Sequence, residues 1–140
     1  MTCFDLIELE TRGNLDMLDL TGQVAAIIAN SGIAEGSVTV FVPGSTAALT
    51  TIEYEEGVLD DLRRAIERMI PEGGEYAHNR RWGDDNGHSH VRAAMIGPDL
   101  HVPIHEGQMF LGTWQQILLI DFDNRPRRRQ IAVSVVGNQG

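Results

Sequence analysis

Ile117-Leu118-Leu119-Ile120-Asp121-Phe122 is followed by Asp123-Asn124-Arg125-Pro126 and then by Arg127-Arg128-Arg129-Gln130-Ile131-Ala132-Val133-Ser134-Val135-Val136. The first stretch is apolar at nearly every position and reads as a buried strand. The second has turn chemistry. The third puts Ile131, Val133 and Val135 on one face at period two, which predicts a final strand. Connections this short favour hairpins and an antiparallel sheet, because a parallel crossover needs a dozen or more residues.

Working outward, Thr2–Leu9 alternates as a strand, and Gly13-Asn14 is a turn into a short strand ending near Leu18. Asp19 or Thr21 can cap a helix through Asn30, with Val24, Ile27 and Ile28 as its stripe. Ser37–Val42 is a β-branched strand broken by Pro43-Gly44-Ser45, and Thr46–Ile52 resumes as another. Leu59, Leu62, Ile66, Met69 and Ile70 fit a second amphipathic helix that Pro71 ends. Positions 71–87 form a long polar loop, after which Val91–Ile96 is a short helix. Leu100–Ile104 and Met109–Leu111 form a hairpin around His105-Glu106-Gly107-Gln108. Six to eight strands and two or three helices, mostly hairpin-linked, predict an α+β fold with mostly antiparallel sheet and no doubly wound parallel core. At 140 residues, 1–140 reads as a single domain.

The formal charge is −9, which argues against nucleic-acid or anionic-membrane binding. All 11 basic residues are arginine, so Schiff-base and P-loop lysine chemistry is excluded. The single cysteine, Cys3, excludes an internal disulfide. The N-terminal residues lack a signal peptide's basic start and apolar run, and we expect a soluble, cytoplasmic chain. Charge is uneven. Positions 1–75 hold 14 acidic and 4 basic residues, whereas 76–140 hold 6 and 7 together with all five histidines.

The densest polar cluster runs from His78 to His90. His78, His88 and His90 are candidate ligands for a divalent metal such as zinc, with one position left open. A His88–His90 pair can share an ion only if the segment is extended, since positions two apart on a helix lie about 200° apart. The alternative is one capping or buried histidine and one on the surface. Asp84-Asp85 reads either as a magnesium site or as a solvated turn. Arg127-Arg128-Arg129 alternates along a strand and cannot converge. We expect it to protect an edge or to pair with Asp121 and Asp123 across subunits. Pro43-Gly44-Ser45-Thr46-Ala47-Ala48 can cradle an anion without being a dinucleotide or Walker motif. Trp114 reads as core, and His101 and His105 as surface residues.

Four segments together resemble the YjbQ-like family: Val40–Leu49, Tyr76-Ala77-His78, Asn86-Gly87-His88-Ser89-His90-Val91-Arg92-Ala93, and Gly107 through Leu111-Gly112-Thr113-Trp114-Gln115. The resemblance implies an α+β domain that assembles as a homotrimer, with a histidine-lined pocket at the subunit interface. It also implies a secondary thiamine-phosphate synthase activity. His78, Asn86, His90, Trp114-Gln115, Thr46 and Glu53 match the family pattern. Gly44 stands where many members have histidine, and His88 is a candidate replacement.

Under that resemblance a hydroxymethylpyrimidine diphosphate loses pyrophosphate to a thiazole phosphate. Asp84 or Asp85 with magnesium, helped by Arg80, Arg81 or Arg92, would neutralise the leaving group, and His78 or His90 would protonate it. The expected site is then His78, His90, Asp85 and Glu53 as catalytic groups. Thr46, Arg81, Asn86, Trp114 and Gln115 would touch a small phosphorylated substrate, and zinc or magnesium would be the metal. Two further classes stay open. One is a metal-dependent hydrolase with a zinc-bound water near Glu53 or Asp85. The other is a non-enzymatic trimer that binds a small anion.

Overall fold

A computed structural model describes residues 1–140. The elements are β1 (Thr2–Thr11), β2 (Asp16–Asp19), α1 (Thr21–Ser31), β3 (Glu35–Phe41), β4 (Ala47–Ile52), α2 (Glu56–Met69), α3 (Ala77–Trp82), α4 (Gly87–Ile96), β5 (Asp99–His105), β6 (Gln108–Met109), β7 (Gln116–Asp121) and β8 (Arg127–Asn138). The α+β class is as expected. The helix count is four rather than two or three, because the polar 71–87 segment contains α3 and α4 begins at Gly87 instead of Val91.

The strands form two antiparallel sheets, ordered β1-β8-β3-β5-β6 and β2-β7-β4. The expectation of mostly hairpin links is corrected. Only β5 and β6 are consecutive strands paired with each other. The connections β1–β2, β3–β4 and β7–β8 each turn a corner from one sheet to the other. Asp123-Asn124-Arg125-Pro126 is such a corner, with Ile117–Phe122 wholly buried between layers.

Periodicity decides which residues fill the interior. Ile131, Val133 and Val135 of β8, Val38 and Val40 of β3, and Ile117 and Leu119 of β7 meet Val24, Ile27 and Ile28 of α1 in the main core. The opposite face of the small sheet carries Ala48, Leu118 and Ile120. With Phe122 just beyond β7, these residues pack under Leu59 and Ile66 of α2 and Ala93 of α4. Full burial of each Val, Leu or Ile stabilises the fold by about 1.5–3 kcal/mol. Helix α1 stops at Gly32, whose φ of 73° is left-handed. Helix α2 starts on Glu55, whose carboxylate accepts hydrogen bonds from the Gly57 and Val58 amides at 2.6 and 2.9 Å.

The outer face of the large sheet has no covering layer. Phe4 and Leu6 of β1, Phe41 of β3 and Val136 of β8 are exposed there. No helix is long and apolar enough to cross a membrane.

Candidate functional site

Helices α3 and α4 are held together by a tight join. The Asn79 side-chain oxygen accepts the Gly87 amide at 2.8 Å. A Cβ on Gly87 would lie 2.5 Å from Cβ of Tyr76, so only glycine lets α4 start this close to the chain entering α3. The Tyr76 hydroxyl in turn donates to the Pro71 carbonyl at 2.5 Å.

This join sets His78 of α3 beside His90 of α4, with ring centroids 4.4 Å apart and planes tilted by 41°. Nδ1 of His78 lies 3.2 Å from Oδ1 of Asp84. The pair is too poorly aligned for a hydrogen bond, and that buried nitrogen has no other partner. Asp84 Oδ1 also accepts the Asn86 amide at 3.2 Å. His90 opens onto a depression of about 330 Å³ walled by Gly44, Ser45, Ala47, Ala93 and Pro98.

The three-histidine metal set is not assembled in the chain. His88 and His90 both lie within α4, so the extended geometry that sharing an ion requires is absent. His88 is turned inward and 1% exposed, with its ring centroid 6.3 Å from that of Tyr76. Burial, then the charge of Arg92, holds its pKa below the ordinary 6.5. No three His, Cys, Asp or Glu side chains gather closely enough to hold a metal ion.

Beneath the site runs a buried polar network. Arg129 of β8 donates to both oxygens of Asp121, Nε to Oδ2 at 2.8 Å and Nη2 to Oδ1 at 2.9 Å. Thr11 donates to Asp121 at 2.5 Å, and Arg127 Nε donates to Asp123 at 2.9 Å. The Arg–Asp pairing expected across subunits is therefore made within one chain. Its signal was the i, i+2 spacing of both pairs, which puts each on one strand face. Arg128 points the other way and is exposed. Burial alone would raise the Asp123 carboxyl, but hydrogen bonds from Thr46 and Arg127 outweigh it and hold it low.

Thr46 and Asn86, expected to touch substrate, are instead committed inward. The Thr46 hydroxyl accepts from Arg129 and donates to Asp123. Asn86 Oδ1 accepts the Asn124 amide at 3.1 Å, tying α4 to the β7–β8 corner. Ser89 Oγ lies 2.5 Å from both Asn86 Oδ1 and the Phe122 carbonyl. Asn86 thereby positions α4, and Thr46 braces the β7–β8 corner.

The remaining expected residues split into two places. Arg81 is exposed, its guanidinium carbon 5.7 Å from the centroid of the Trp82 ring. Asp85 is exposed with φ 54°. Glu53, Trp114 and Gln115 lie at the far end of β4, where the Gln115 amide donates to Thr51 at 3.1 Å. The expectation of a core Trp114 is corrected, since it is 73% exposed. At about 3.3 Å per residue the two ends of β4 are about 17 Å apart, so one chain does not unite Trp114 with His90.

The model of the UPF0047 protein YjbQ-like family matches residues 5–138. A UPF0047 protein of Methanothermobacter thermautotrophicus is 37% identical over 131 residues, covering 94% of this chain and 90% of the relative. One from Archaeoglobus fulgidus is 35% identical over 130 residues, covering 93% and 98%. Among solved structures, a YbjQ-like protein of unknown function from Sulfolobus solfataricus P2 superposes with a TM-score of 0.93 at 34% identity, covering 99% of both chains. A hypothetical protein from Aeropyrum pernix K1 gives a TM-score of 0.89 at 31% identity, covering 96% and 98%. With nearly its whole length matched in sequence and in backbone, the chain belongs to the YjbQ-like UPF0047 family.

Proposed function

We propose that the chain binds a small phosphorylated molecule at a pocket completed between copies of a homotrimer. The reaction proposed there is a transfer of the thiamine-phosphate synthase type. The observation that carries this reading is the His78–His90 ring pair with Asp84 at its end. Imidazoles give and take protons near neutral pH, and an Asp84 carboxylate oxygen lies 3.2 Å from one of these two.

In the proposed reaction the bond between the pyrimidine methylene carbon and the diphosphate oxygen breaks, and pyrophosphate leaves with the electron pair. The thiazole nitrogen lone pair forms the new carbon–nitrogen bond. His90, at the mouth of its depression, supplies a proton to the departing diphosphate. Arg81 offers an exposed guanidinium to its charge.

Completion by a second copy is supported by the 17 Å division described above, which leaves Glu53, Trp114 and Gln115 for a neighbour to bring to the histidines. The uncovered apolar residues Phe4, Leu6, Phe41 and Val136 support self-association. A zinc held by His78, His88 and His90 does not fit one chain, and no step is assigned to it. Asp84 and Asp85 leave carboxylates exposed, which suits magnesium arriving with substrate phosphates.

The test supplies hydroxymethylpyrimidine diphosphate and thiazole phosphate, with and without magnesium, and follows pyrophosphate release and the joined product by mass spectrometry. Turnover that falls by about 100-fold or more in His90→Ala, with an unchanged melting temperature, is the expected result. Binding of both compounds without product would identify a binding protein and overturn the transfer reading.

A further inference from the structure

Strand β8 is longer than the strand beside it. Its pairing with β3 ends at Phe41↔Ala132, whereas its pairing with β1 continues down to Thr11↔Arg127. From Arg127 to Ile131 one edge of β8 is therefore unpaired, and the chain after β3 swings away through Pro43 and Gly44 toward the second sheet. The gap is a depression of about 560 Å³ lined by Glu8, Pro43, Arg128, Arg129 and Gln130.

Arg129 contributes to its lining. The side chain is about nine-tenths buried, and Nε and Nη2 are engaged by Asp121 and Thr46. Nη1 makes no hydrogen bond and lies under Gly44. A Cβ on Gly44 would sit 3.0 Å from that nitrogen, and Gly44 has φ 119°, a conformation that side-chain-bearing residues rarely adopt. The absence of a side chain at 44 leaves Nη1 uncovered on that side. Arg128, on the rim, has no salt bridge or hydrogen bond of its own. The one carboxylate of the lining, Glu8, accepts a hydrogen bond from the Gln130 amide at 2.9 Å.

We propose that this gap is a second site that binds a phosphate-type oxyanion between Nη1 of Arg129 and the guanidinium of Arg128, which starts on the opposite face of β8 and reaches round the strand's unpaired edge. Asp121 fixes the orientation of Arg129 before any ligand arrives, so little side-chain freedom is lost on binding. The planar fork suits phosphate oxygens, and two guanidinium groups in the lining suit an anion. The site is independent of the histidine pair.

The experiment titrates inorganic phosphate into the full chain at constant ionic strength and follows backbone amide resonances, with acetate as a parallel arm. Saturable shifts at Gly44 and Arg128–Gln130 are expected with phosphate, with weaker affinity for acetate. Arg128→Gln should weaken the phosphate binding reported by Gly44 and Arg128–Gln130 about fivefold or more. Gly44→Ala, which covers Nη1, is a second variant expected to weaken it. Absence of saturable shifts at Gly44 and Arg128–Gln130, acetate binding there as tightly as phosphate, or affinity at those resonances unchanged in Arg128→Gln would each overturn the proposal.

Discussion

Arg129 and Asp121 face each other across the two sheets, joined by two hydrogen bonds of 2.8 and 2.9 Å, with the carboxylate fully buried. The pair locks β8 of the large sheet to the end of β7 in the small one. Removing one partner leaves a buried charge without its counter-ion, so Arg129→Met is expected to lower unfolding stability by about 3–5 kcal/mol. Arg128→Gln, one position away and exposed, should stay within about 0.5 kcal/mol. Urea denaturation of the two variants checks this, and equal losses would contradict it.

His88 makes stability pH-dependent. Burial keeps its folded-state pKa below the ordinary 6.5, so the unfolded chain binds the proton more readily. Stability is then unaffected by this group well above pH 6.5 and falls as the pH drops below it. Asp123, with its pKa lowered from 3.8, adds a second loss only in stronger acid, as the pH passes below that value. His88→Leu should flatten the decline in denaturation midpoint between about pH 7 and pH 5. A slope identical to the parent chain would sink this assignment.

A shared site can be read out by mixing. Light scattering should give about three times the 15.4 kDa chain mass. His90→Ala and Trp114→Ala, each inactive alone, should recover up to about a quarter of parental activity when co-refolded in equal amounts, because some neighbours then supply the intact half. A monomer, or no recovery in mixed trimers, would confine the chemistry to one chain.

Gly87→Ala tests the join of α3 and α4. The added methyl meets Cβ of Tyr76 at 2.5 Å and must push α3 away. His78 should separate from His90, visible as a changed chemical shift of both imidazoles. A crystal structure of the variant with the rings still 4.4 Å apart would refute the role given to this glycine.

What the sequence disclosed follows the physics that wrote it. Apolar period-two and period-3.6 patterns found β3, β8, α1 and α2, because their inward residues are Val, Ile and Leu. Helix α3 buries no residue and has no stripe to read. Helix α4 begins early on His88 and Ser89, which are buried but polar, so hydrophobic periodicity starts too late. Four-residue turns do not distinguish a hairpin from a corner. Here Asp121–Arg129 and Asp123–Arg127, eight and four residues apart, pair across the corner. The proximity of His78 and His90 depends on α3, and was legible through the family resemblance rather than through spacing.

The ladder between β1 and β8 has a consequence for synthesis. β1 is an edge strand whose only neighbour is β8, and Thr2 pairs with Val136. On a ribosome adding about 5–20 residues per second, the first strand waits roughly 6–25 seconds for its partner. During that interval Ile7, Phe4 and Leu6 are displayed to whatever the nascent chain meets. Folding of the large sheet therefore waits for β8 and is dominated by distant contacts, which makes it slow. Newly made chains are candidates for chaperone capture in that window, and tethering β1 directly after β8 in a circular permutant would shorten it.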